Sequence, residues 1–229
     1  MTQADGEIVI LVPAYNEARF IGDVVKGALK YGPVVVIDDG SSDETGAVAA
    51  LAGAKVIAHA VNRGKGKALD TGFRYAVQRK MAAAITLDAD GQHDPDEIPQ
   101  FIAAFRAGRG DIIIGQRDFS QMPAKNQFGN RTGTFLLGLA MGRPIPDNQS
   151  GYRLLSRPVL EAIRTDATRF EAEVELLLRA QLAGFQMAWI PIKTIYNDKV
   201  SHFRPLHDSW LFLKMVWRIW RARRRGGFA

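Results

Sequence analysis

Two carboxylates separated by one residue close a strongly apolar stretch of the chain. Asp88 and Asp90 follow the segment MAAAITL, and Gln92 comes two positions later. Such a cluster is either a solvated turn, with carboxylates capping the next helix, or the binding site of a cation. Carboxylate and amide oxygens are hard ligands and the chain has no cysteine, so the favoured cation is Mg²⁺ or Mn²⁺ rather than zinc.

Three further polar clusters also stand at the ends of apolar segments. They are residues 13–17 (PAYNE), 38–43 (DDGSSD) and 62–67 (NRGKGK). In open α/β sheets, ligands bind outside the carboxyl ends of the strands. One such cluster could be explained by helix capping, but four in succession indicate a ligand site. The NRGKGK segment lacks the spacing of a P-loop and is a weak phosphate signal by itself, and Lys65 is interpreted as a solvated charge.

The elements that must position these clusters alternate between strands and helices. Continuous runs of Val, Ile and Leu predict strands, and the amphipathic segments between them predict helices. Strands are predicted within residues 7–15, 33–41, 54–61, 81–90, 111–117, 151–156 and 186–196, and helices within 18–31, 42–51, 66–79, 95–107, 126–142 and 171–183. The fold class is therefore α/β, with a mostly parallel central sheet flanked by helices.

Composition limits the class of protein further. The chain has 229 residues, 47% of them hydrophobic, which is enough for one sizeable core. The absence of cysteine fits a reducing compartment, and the N-terminus lacks the basic region of a signal peptide. We see no repeat or linker within the body, so we predict one domain over residues 1–205 and a basic tail over residues 206–229.

The order and content of the clusters resemble the family 2 glycosyltransferases, which have the GT-A fold. The resemblance runs from about Ile8 to Arg153 and is carried by PAYNE, DDGSSD, NRGKGKA, the triplet at 88–90 and the GQR at 115–117. Gln92, Asn130-Arg131 and the SGYR at 150–153 are similar to the polyprenyl-phosphate branch, the dolichol-phosphate mannose synthase type. The resemblance implies a Rossmann-like nucleotide-binding half and metal-dependent, inverting transfer from a nucleotide-diphosphate sugar.

On the donor side, the resemblance makes Asp90 a metal ligand assisted by Gln92. Asp88 is counted with the metal-binding residues, through the water shell of the metal, and also with the nucleotide-sugar residues, near the ribose. Asp39 can accept a hydrogen bond from an N–H of uracil or guanine, and Asp38 is the less favoured partner. The other residues expected around the nucleotide sugar are Pro13, Tyr15, Glu17, Gly64, Lys67 and Ala89. For Tyr15, ordinary packing is the alternative.

On the acceptor side, arginines indicate an anionic group. The resemblance brings Arg117 and Arg131 to one face, with His202 and Arg204 as further candidates, and the planar fork of arginine suits phosphate oxygens. A lipid phosphate is already anionic near neutral pH, so positioning and charge stabilisation would carry much of the catalysis. Asp147 occupies the position where the family often places its base and is predicted to be catalytic with the first two arginines. The alternatives are an Asx turn at Asp147 and plain polar surface at His202.

The tail predicts a helix lying on a membrane surface. The net charge is +6, and five arginines lie within residues 218–225, so the rest of the chain carries about +1. Lys214, Arg218, Arg221 and Arg225 form a stripe at helical spacing opposite tryptophans, which suits an interfacial amphipathic helix on anionic lipid. The alternative is a helix packed on the body or in a dimer interface. The apolar residues are too few to cross a bilayer, so we expect peripheral association with the cytoplasmic face of the membrane.

The leading hypothesis is transfer of a hexose, mannose or glucose, from a GDP- or UDP-sugar to polyprenyl or dolichyl phosphate. The first alternative keeps the donor and changes the acceptor to a soluble small molecule or saccharide. A nucleotidyltransferase is disfavoured because PAYNE stands where a Gly-rich signature would be. A non-catalytic module binding membrane or nucleic acid is disfavoured because the excess positive charge is confined to the tail, and no nucleic-acid partner is expected. The sugar, the base and the oligomeric state stay open at this point.

Overall fold

The computed structural model describes residues 6–118, 124–147, 150–163, 171–193 and 195. The strands are β1 (Ile8–Ala14), β2 (Val34–Asp38), β3 (Lys55–Ala58), β4 (Ala83–Thr86), β5 (Ile112–Arg117), β6 (Arg153–Ser156) and β7 (Met187–Ile192). The helices are α1 (Ile21–Leu29), α2 (Thr45–Leu51), α3 (Lys65–Gln78), α4 (Ile98–Arg106), α5 (Ala124–Met141), α6 (Arg157–Ala162) and α7 (Glu171–Leu182), and a 3-10 turn (Pro95–Glu97) precedes α4.

Every strand and helix predicted within residues 7–196 is present in this set. Helix α6 was not predicted. It begins directly after strand β6, with Ser156 in an extended conformation at its N-cap and Pro158 in its first turn. A serine followed by a proline is a typical helix start, so the signal was there in the sequence.

The seven strands form one sheet in the order β3-β2-β1-β4-β6-β5-β7. All neighbouring pairs are parallel except those of β6, which runs antiparallel to both β4 and β5. The predicted α/β class with a mostly parallel sheet is confirmed. The reversal of β6 matters for the site. The first residue of β6, Arg153, pairs with Thr86 at the carboxyl end of β4, so the segment just before β6 passes over that end.

The core lies on both faces of the sheet, as continuous apolar strands require. All seven residues of β1 are buried. Its side chains alternate, with Ile8, Ile10 and Val12 in one apolar cluster and Val9 and Leu11 in the other. The first cluster also contains buried residues of α1 and α4, and the second contains those of α3, α6 and α7. With each strand fixed between two layers, the loops at the strand ends are held in a defined arrangement.

The predicted C-terminal amphipathic helix and the predicted domain boundary at residue 205 lie outside the described residues. Among the helices that the structure does describe, none is both long enough and apolar enough to span a bilayer.

Candidate active site

The carboxyl ends of β1 to β4 meet at one side of the sheet, and we call the loops that follow them the donor edge. Parallel pairing aligns Ala14 with Asp38 and Asp38 with Ala58, so the three loops start side by side. The PAYNE and DDGSSD segments then bond directly to each other. The backbone N–H of Asn16 donates to Ser41 Oγ at 3.0 Å, and the backbone N–H of Ser42 donates to Asn16 Oδ1 at 2.8 Å.

Of the predicted nucleotide-contacting residues in these two segments, some are accessible and some are not. Pro13 is buried within β1, whereas the Tyr15 side chain is 46% exposed and Glu17 is half-buried. Asp38 is buried, and its Oδ1 accepts from the backbone N–H of Ser41 at 2.9 Å. An exposed aromatic ring at the rim of a strand-end loop is available for stacking, so the predicted role of Tyr15 stays a prediction that its position allows.

Asp39 lies at the centre of a buried hydrogen-bond network. Its side chain is 4% exposed and contacts His59 Nδ1 at 2.6 Å. It also accepts from the backbone N–H of Arg63 at 3.0 Å and from that of Gly64 at 2.7 Å. These bonds fix the segment that leads into α3. The predicted hydrogen bond from a nucleobase to Asp39 stays a prediction.

His59 is itself held at both ring nitrogens. Its Nε2 lies 2.9 Å from Thr71 Oγ1, and that hydroxyl donates to the carbonyl of Lys67 at 3.0 Å. The chain Asp39–His59–Thr71 therefore ties the end of β2 to the first turns of α3. His59 is not among the predicted site residues, because it lies within the predicted third strand, whereas the observed β3 ends at Ala58.

The contacts of Asp39, His59 and Thr71 hold the start of helix α3 in place. Gly64 precedes it with φ of 91°, a left-handed conformation that glycine adopts without a steric penalty. Lys65 is the first helical residue, and its Nζ lies 2.7 Å from Asp88 Oδ1. The interpretation of Lys65 as a solvated charge is therefore wrong. Lys67, predicted to approach the nucleotide, is half-buried in the same turn.

The Asp88–Asp90 turn follows β4 and brings the predicted metal ligands together. Asp90 Oδ1 accepts from the backbone N–H of Gln92 at 3.1 Å, which closes the turn locally. The segment before β6 crosses over it: a Cβ added to Gly151 would lie 2.6 Å from Asp88 Oδ2. Only glycine permits this approach, and the hydroxyl of Thr86 donates to the Gly151 carbonyl at 2.6 Å. Gly151 of the SGYR segment therefore borders the site next to the Asp88 carboxylate.

The rings of His93, Tyr152 and Phe101 pack together beside the Asp88–Asp90 turn. His93 is 5% exposed, and its Nδ1 accepts from the backbone N–H of Asp88 at 3.4 Å. Burial lowers the pKa of His93, which keeps the ring neutral near pH 7 and able to accept at that nitrogen. The Tyr152 ring lies 5.0 Å from His93 and 4.4 Å from Phe101, and its hydroxyl donates to the Asp94 carbonyl at 3.1 Å. Burial also raises the pKa of Tyr152, so it stays a donor.

The donor set at this turn fits a hard divalent cation shared with a ligand. Asp88, Asp90 and Gln92 offer carboxylate and amide oxygens, the ligand type that Mg²⁺ and Mn²⁺ prefer. Nowhere in the described parts of the chain do three or more His, Asp or Glu side chains form a group able to hold a metal. Two carboxylates leave coordination positions for water and phosphate oxygens, as is usual for magnesium bound together with a nucleotide.

Across the sheet, β5 ends in Arg117, and we call Arg117 and Asp147 the acceptor edge. Arg117 Nε lies 2.7 Å from Asp147 Oδ2 and its Nη2 lies 3.0 Å from Oδ1, a bidentate pair. Asp147 is fully buried, and its carbonyl accepts from Trp189 Nε1 at 3.0 Å. Both oxygens of the Asp147 carboxylate bind the Arg117 guanidinium, so the pair fixes the orientation of both side chains. The predicted role of Asp147 as a base stays a prediction.

The other predicted acceptor residues are only partly covered by the structure. Arg131 lies within α5, but its side chain is not among those described, and His202 and Arg204 lie outside the described residues. Segment 150–153 connects the two edges of the site. Gly151 lies so close to Asp88 that an added Cβ would meet its carboxylate. The Tyr152 carbonyl accepts from the backbone N–H of Gly115 at 2.9 Å, two residues before Arg117.

Known proteins are similar to this chain in sequence and in fold. A dolichyl-phosphate N-acetylglucosaminyltransferase of Methanococcus voltae that uses UDP-N-acetylglucosamine is 32% identical over 221 residues, covering 85% of this chain and 88% of the relative. The polyprenol monophosphomannose synthase of Mycolicibacterium smegmatis is 32% identical over 206 residues, covering 80% and 76%.

Similarity to solved structures identifies the fold as GT-A. Glucosyl-3-phosphoglycerate synthase from Mycobacterium tuberculosis, crystallised with Mn²⁺, UDP-glucose and phosphoglyceric acid, superposes with a TM-score of 0.75 at 18% identity. The superposition covers 99% of this chain and 82% of the synthase. The family model for glycosyl transferase family 2 matches residues 9–164, from β1 to the end of α6. The chain belongs to glycosyl transferase family 2.

Proposed function

We propose that this enzyme transfers a hexose-type sugar from a nucleoside-diphosphate sugar to a polyprenyl phosphate, with the help of a divalent cation. The observation that carries the proposal is the role of segment 150–153 as a bridge between the two edges. Its Gly151 leaves no room for a side chain beside the Asp88 carboxylate, and its Tyr152 carbonyl is hydrogen-bonded to the strand that ends in Arg117. This bridge supports a site in which an anionic acceptor at the arginine faces a sugar diphosphate at the carboxylates.

On the donor side, Asp90 and Gln92, with Asp88, would hold Mg²⁺ or Mn²⁺. When bound, the cation supplies charge neutralisation of the departing diphosphate. The chain itself does the rest: the buried stack of His93, Tyr152 and Phe101 keeps the carboxylates in place, and Tyr15 and Glu17 face the nucleoside. The Mn²⁺ and UDP-glucose of the structural neighbour, and the UDP-sugar named for the Methanococcus relative, support this donor class.

On the acceptor side, a phosphate monoester brings its own negative charge to the reaction. Its oxygen is a nucleophile near neutral pH, so the protein need not remove a proton from it. What the active site must provide is a fixed positive group that binds the phosphate and leaves one of its oxygens directed at the sugar. Arg117 suits that role because Asp147 holds its guanidinium on one side by two hydrogen bonds. The dolichyl and polyprenol phosphates named for the two relatives support this acceptor.

The basic tail supports action at a membrane surface. A polyprenyl chain is confined to the bilayer, so the enzyme must approach the phosphate from the interface. The stripe of Lys214, Arg218, Arg221 and Arg225 opposite tryptophans suits adsorption to anionic lipid, each basic residue adding about 1 kcal/mol near the surface. We propose peripheral attachment through residues 206–229 at the cytoplasmic face.

The test is a transfer assay with the full chain. Purified enzyme with Mn²⁺ or Mg²⁺ is incubated with UDP-N-acetylglucosamine, UDP-glucose or GDP-mannose and a short-chain polyprenyl phosphate, and the glycolipid is identified by mass spectrometry. The matched control acceptor is the corresponding polyprenol without phosphate, which should receive no sugar. We expect product from one donor, dependent on metal and with inverted anomeric configuration by NMR. Transfer to soluble sugars or phosphoglycerate but not to polyprenyl phosphate would establish the soluble-acceptor alternative instead.

A further inference from the structure

The start of helix α3 carries an unusual distribution of charge. Its first three residues include Lys65 and Lys67, and the first turn contains no acidic residue. The N-terminus of a helix is the positive end of its dipole, so acidic residues are favoured there and lysines are disfavoured. In this chain the missing negative charge is supplied by Asp88, which comes from another loop and lies 2.7 Å from the Lys65 ammonium.

That same carboxylate is one of the predicted metal ligands. A cation that binds beside Asp88 must therefore share it with Lys65 or displace the ammonium. Without a nucleotide, displacement separates the Lys65 ammonium from the Asp88 carboxylate and leaves it at the positive end of a helix, next to a divalent cation. The ion pair thus opposes binding of the metal alone, because two positive groups compete for one carboxylate.

A nucleoside diphosphate changes this balance. The Lys65 side chain is 29% exposed and that of Asp88 is 26% exposed, so the pair lies at the surface of the site where an incoming anion can reach it. A diphosphate provides oxygens that suit both the helix start and the ammonium. Lys65 can then move from Asp88 to the diphosphate, and Asp88 becomes available to the cation. No covalent step is involved, only an exchange of ionic partners.

We propose that Lys65 couples the binding of the metal to the binding of the nucleotide by exchanging Asp88 for the diphosphate. The proposal rests on the proposed function and deepens it. It predicts that the cation binds weakly by itself and much more tightly with the nucleotide. Such coupling between two ligands is typically about 5- to 150-fold in affinity and is the same whichever ligand is bound first.

The anchoring network explains why the exchange is confined to the Lys65 side chain. Asp39 holds the backbone N–H groups of Arg63 and Gly64, directly before Lys65, and is itself held by His59. The backbone at the start of α3 is therefore fixed on the body of the protein. The flexible stem of lysine can move its ammonium between two acceptors while the backbone stays in place.

The experiment measures Mn²⁺ binding to the full chain by electron paramagnetic resonance, with and without UDP or GDP. In wild type, the nucleotide should tighten Mn²⁺ binding. In Lys65→Met, Mn²⁺ alone should bind several-fold tighter than in wild type, and the tightening by nucleotide should fall by about tenfold. Lys26→Met, which removes an exposed lysine of α1, is the matched control and should behave as wild type.

A second variant tests the exchange from the other side. In Asp88→Asn, Lys65 loses its carboxylate partner, so UDP or GDP without metal should bind several-fold tighter than to wild type, as measured by calorimetry. Unchanged Mn²⁺ affinity and unchanged coupling in Lys65→Met, with wild-type coupling present, would overturn the exchange and leave the proposed function intact. If wild type binds neither Mn²⁺ nor any nucleotide, the proposed function falls as well.

Discussion

The donor edge and the acceptor edge hold their charged groups in opposite ways. At the donor edge, Lys65 and Asp88 form an ion pair whose side chains are 29% and 26% exposed. At the acceptor edge, the Arg117 side chain is 17% exposed and its partner Asp147 is completely buried. Ion pairs near water exchange partners at little cost, whereas a buried carboxylate must keep all of its bonds. The donor edge is therefore built to change partners, and the acceptor edge to hold one guanidinium still.

The difference fits the two ligands that the proposed reaction needs. A nucleotide sugar is large, brings a cation and has to leave as a diphosphate after every turnover, so its charged contacts must form and break. A phosphate acceptor needs one fixed direction of approach to the sugar. Even so, the donor edge contains a rigid element, the buried Asp39–His59–Thr71 chain, which carries the exchangeable Lys65 on a fixed backbone.

The largest effect should come from removing the charge that the donor edge offers to the metal. We expect Asp90→Asn to lower kcat by about a thousandfold, because charge neutralisation of the leaving diphosphate is worth several kcal/mol. The measurement is the initial rate of sugar transfer at saturating Mn²⁺. Asp23→Asn, which removes an exposed carboxylate of α1, should retain full activity. A rate for Asp90→Asn within tenfold of wild type would argue against a metal role for this residue.

At the acceptor edge, Asp147→Asn tests the buried ion pair with Arg117. We expect a loss of about 3 kcal/mol in the free energy of unfolding, because the variant leaves the guanidinium of Arg117 without its charged partner. The KM for the polyprenyl phosphate should rise while the KM for the nucleotide sugar stays the same. Denaturant unfolding and steady-state kinetics measure the two effects.

The control for this variant is Glu175→Gln. It breaks an Arg179–Glu175 pair of similar length, 2.7 Å, in which the arginine is 43% exposed. We expect that loss to stay below about 1 kcal/mol, as for surface ion pairs in general. Equal losses in the two variants would contradict the contrast between a buried and an exposed pair. A KM effect on the donor alone would contradict the assignment of Asp147 to the acceptor edge.

A smaller effect is expected from the anchor of the donor edge. His59→Phe keeps a ring but removes both nitrogens that contact Asp39 and Thr71. The free energy of unfolding should fall by about 1–3 kcal/mol, since a buried carboxylate loses a hydrogen-bond partner. The KM for the nucleotide sugar should rise, and the KM for the acceptor should not. Thr71→Val removes only the outer bond and should have a weaker effect in both measurements; the reverse order would refute the chain of contacts.

The smallest effect concerns pH. Burial raises the pKa of Asp43, but hydrogen bonds from the Thr45 side chain and from backbone N–H groups outweigh it, so the pKa is lowered overall. A carboxyl whose pKa is lower in the folded state stabilises the fold above its unfolded pKa, and this contribution is lost as the pH falls through the folded value. Asp43→Asn should therefore lose less stability below about pH 4 than wild type does. The measurement is the melting temperature of both proteins between pH 6 and pH 3. If the two proteins show the same dependence of melting temperature on pH, Asp43 makes no such contribution.

Much of the donor edge could be predicted from the sequence because its signals are local. The triplet Asp88-Ala89-Asp90 comes shortly after an apolar strand. The Asp90 carboxylate closes a turn by accepting from the backbone N–H of Gln92, two residues later. Polar clusters after parallel strands had to meet at one side of the sheet. The acceptor edge gave a weaker signal. Arg117 and Asp147 were both recognised, but not as partners, since 30 residues and the whole of helix α5 separate them.

Local signals in the chain specify the strands and helices of this protein and the side of the sheet where its chemistry lies. Apolar runs, helical periodicity and turn residues act over a few neighbours, so they can be recognised from the sequence. Which charges meet depends on the folded chain, which pairs Lys65 with Asp88, Asp39 with His59 and Arg117 with Asp147. These contacts depend on the strand order and on the reversal of β6, which packing of the whole chain sets, and a carboxylate becomes a ligand or an anchor according to the partner that packing provides.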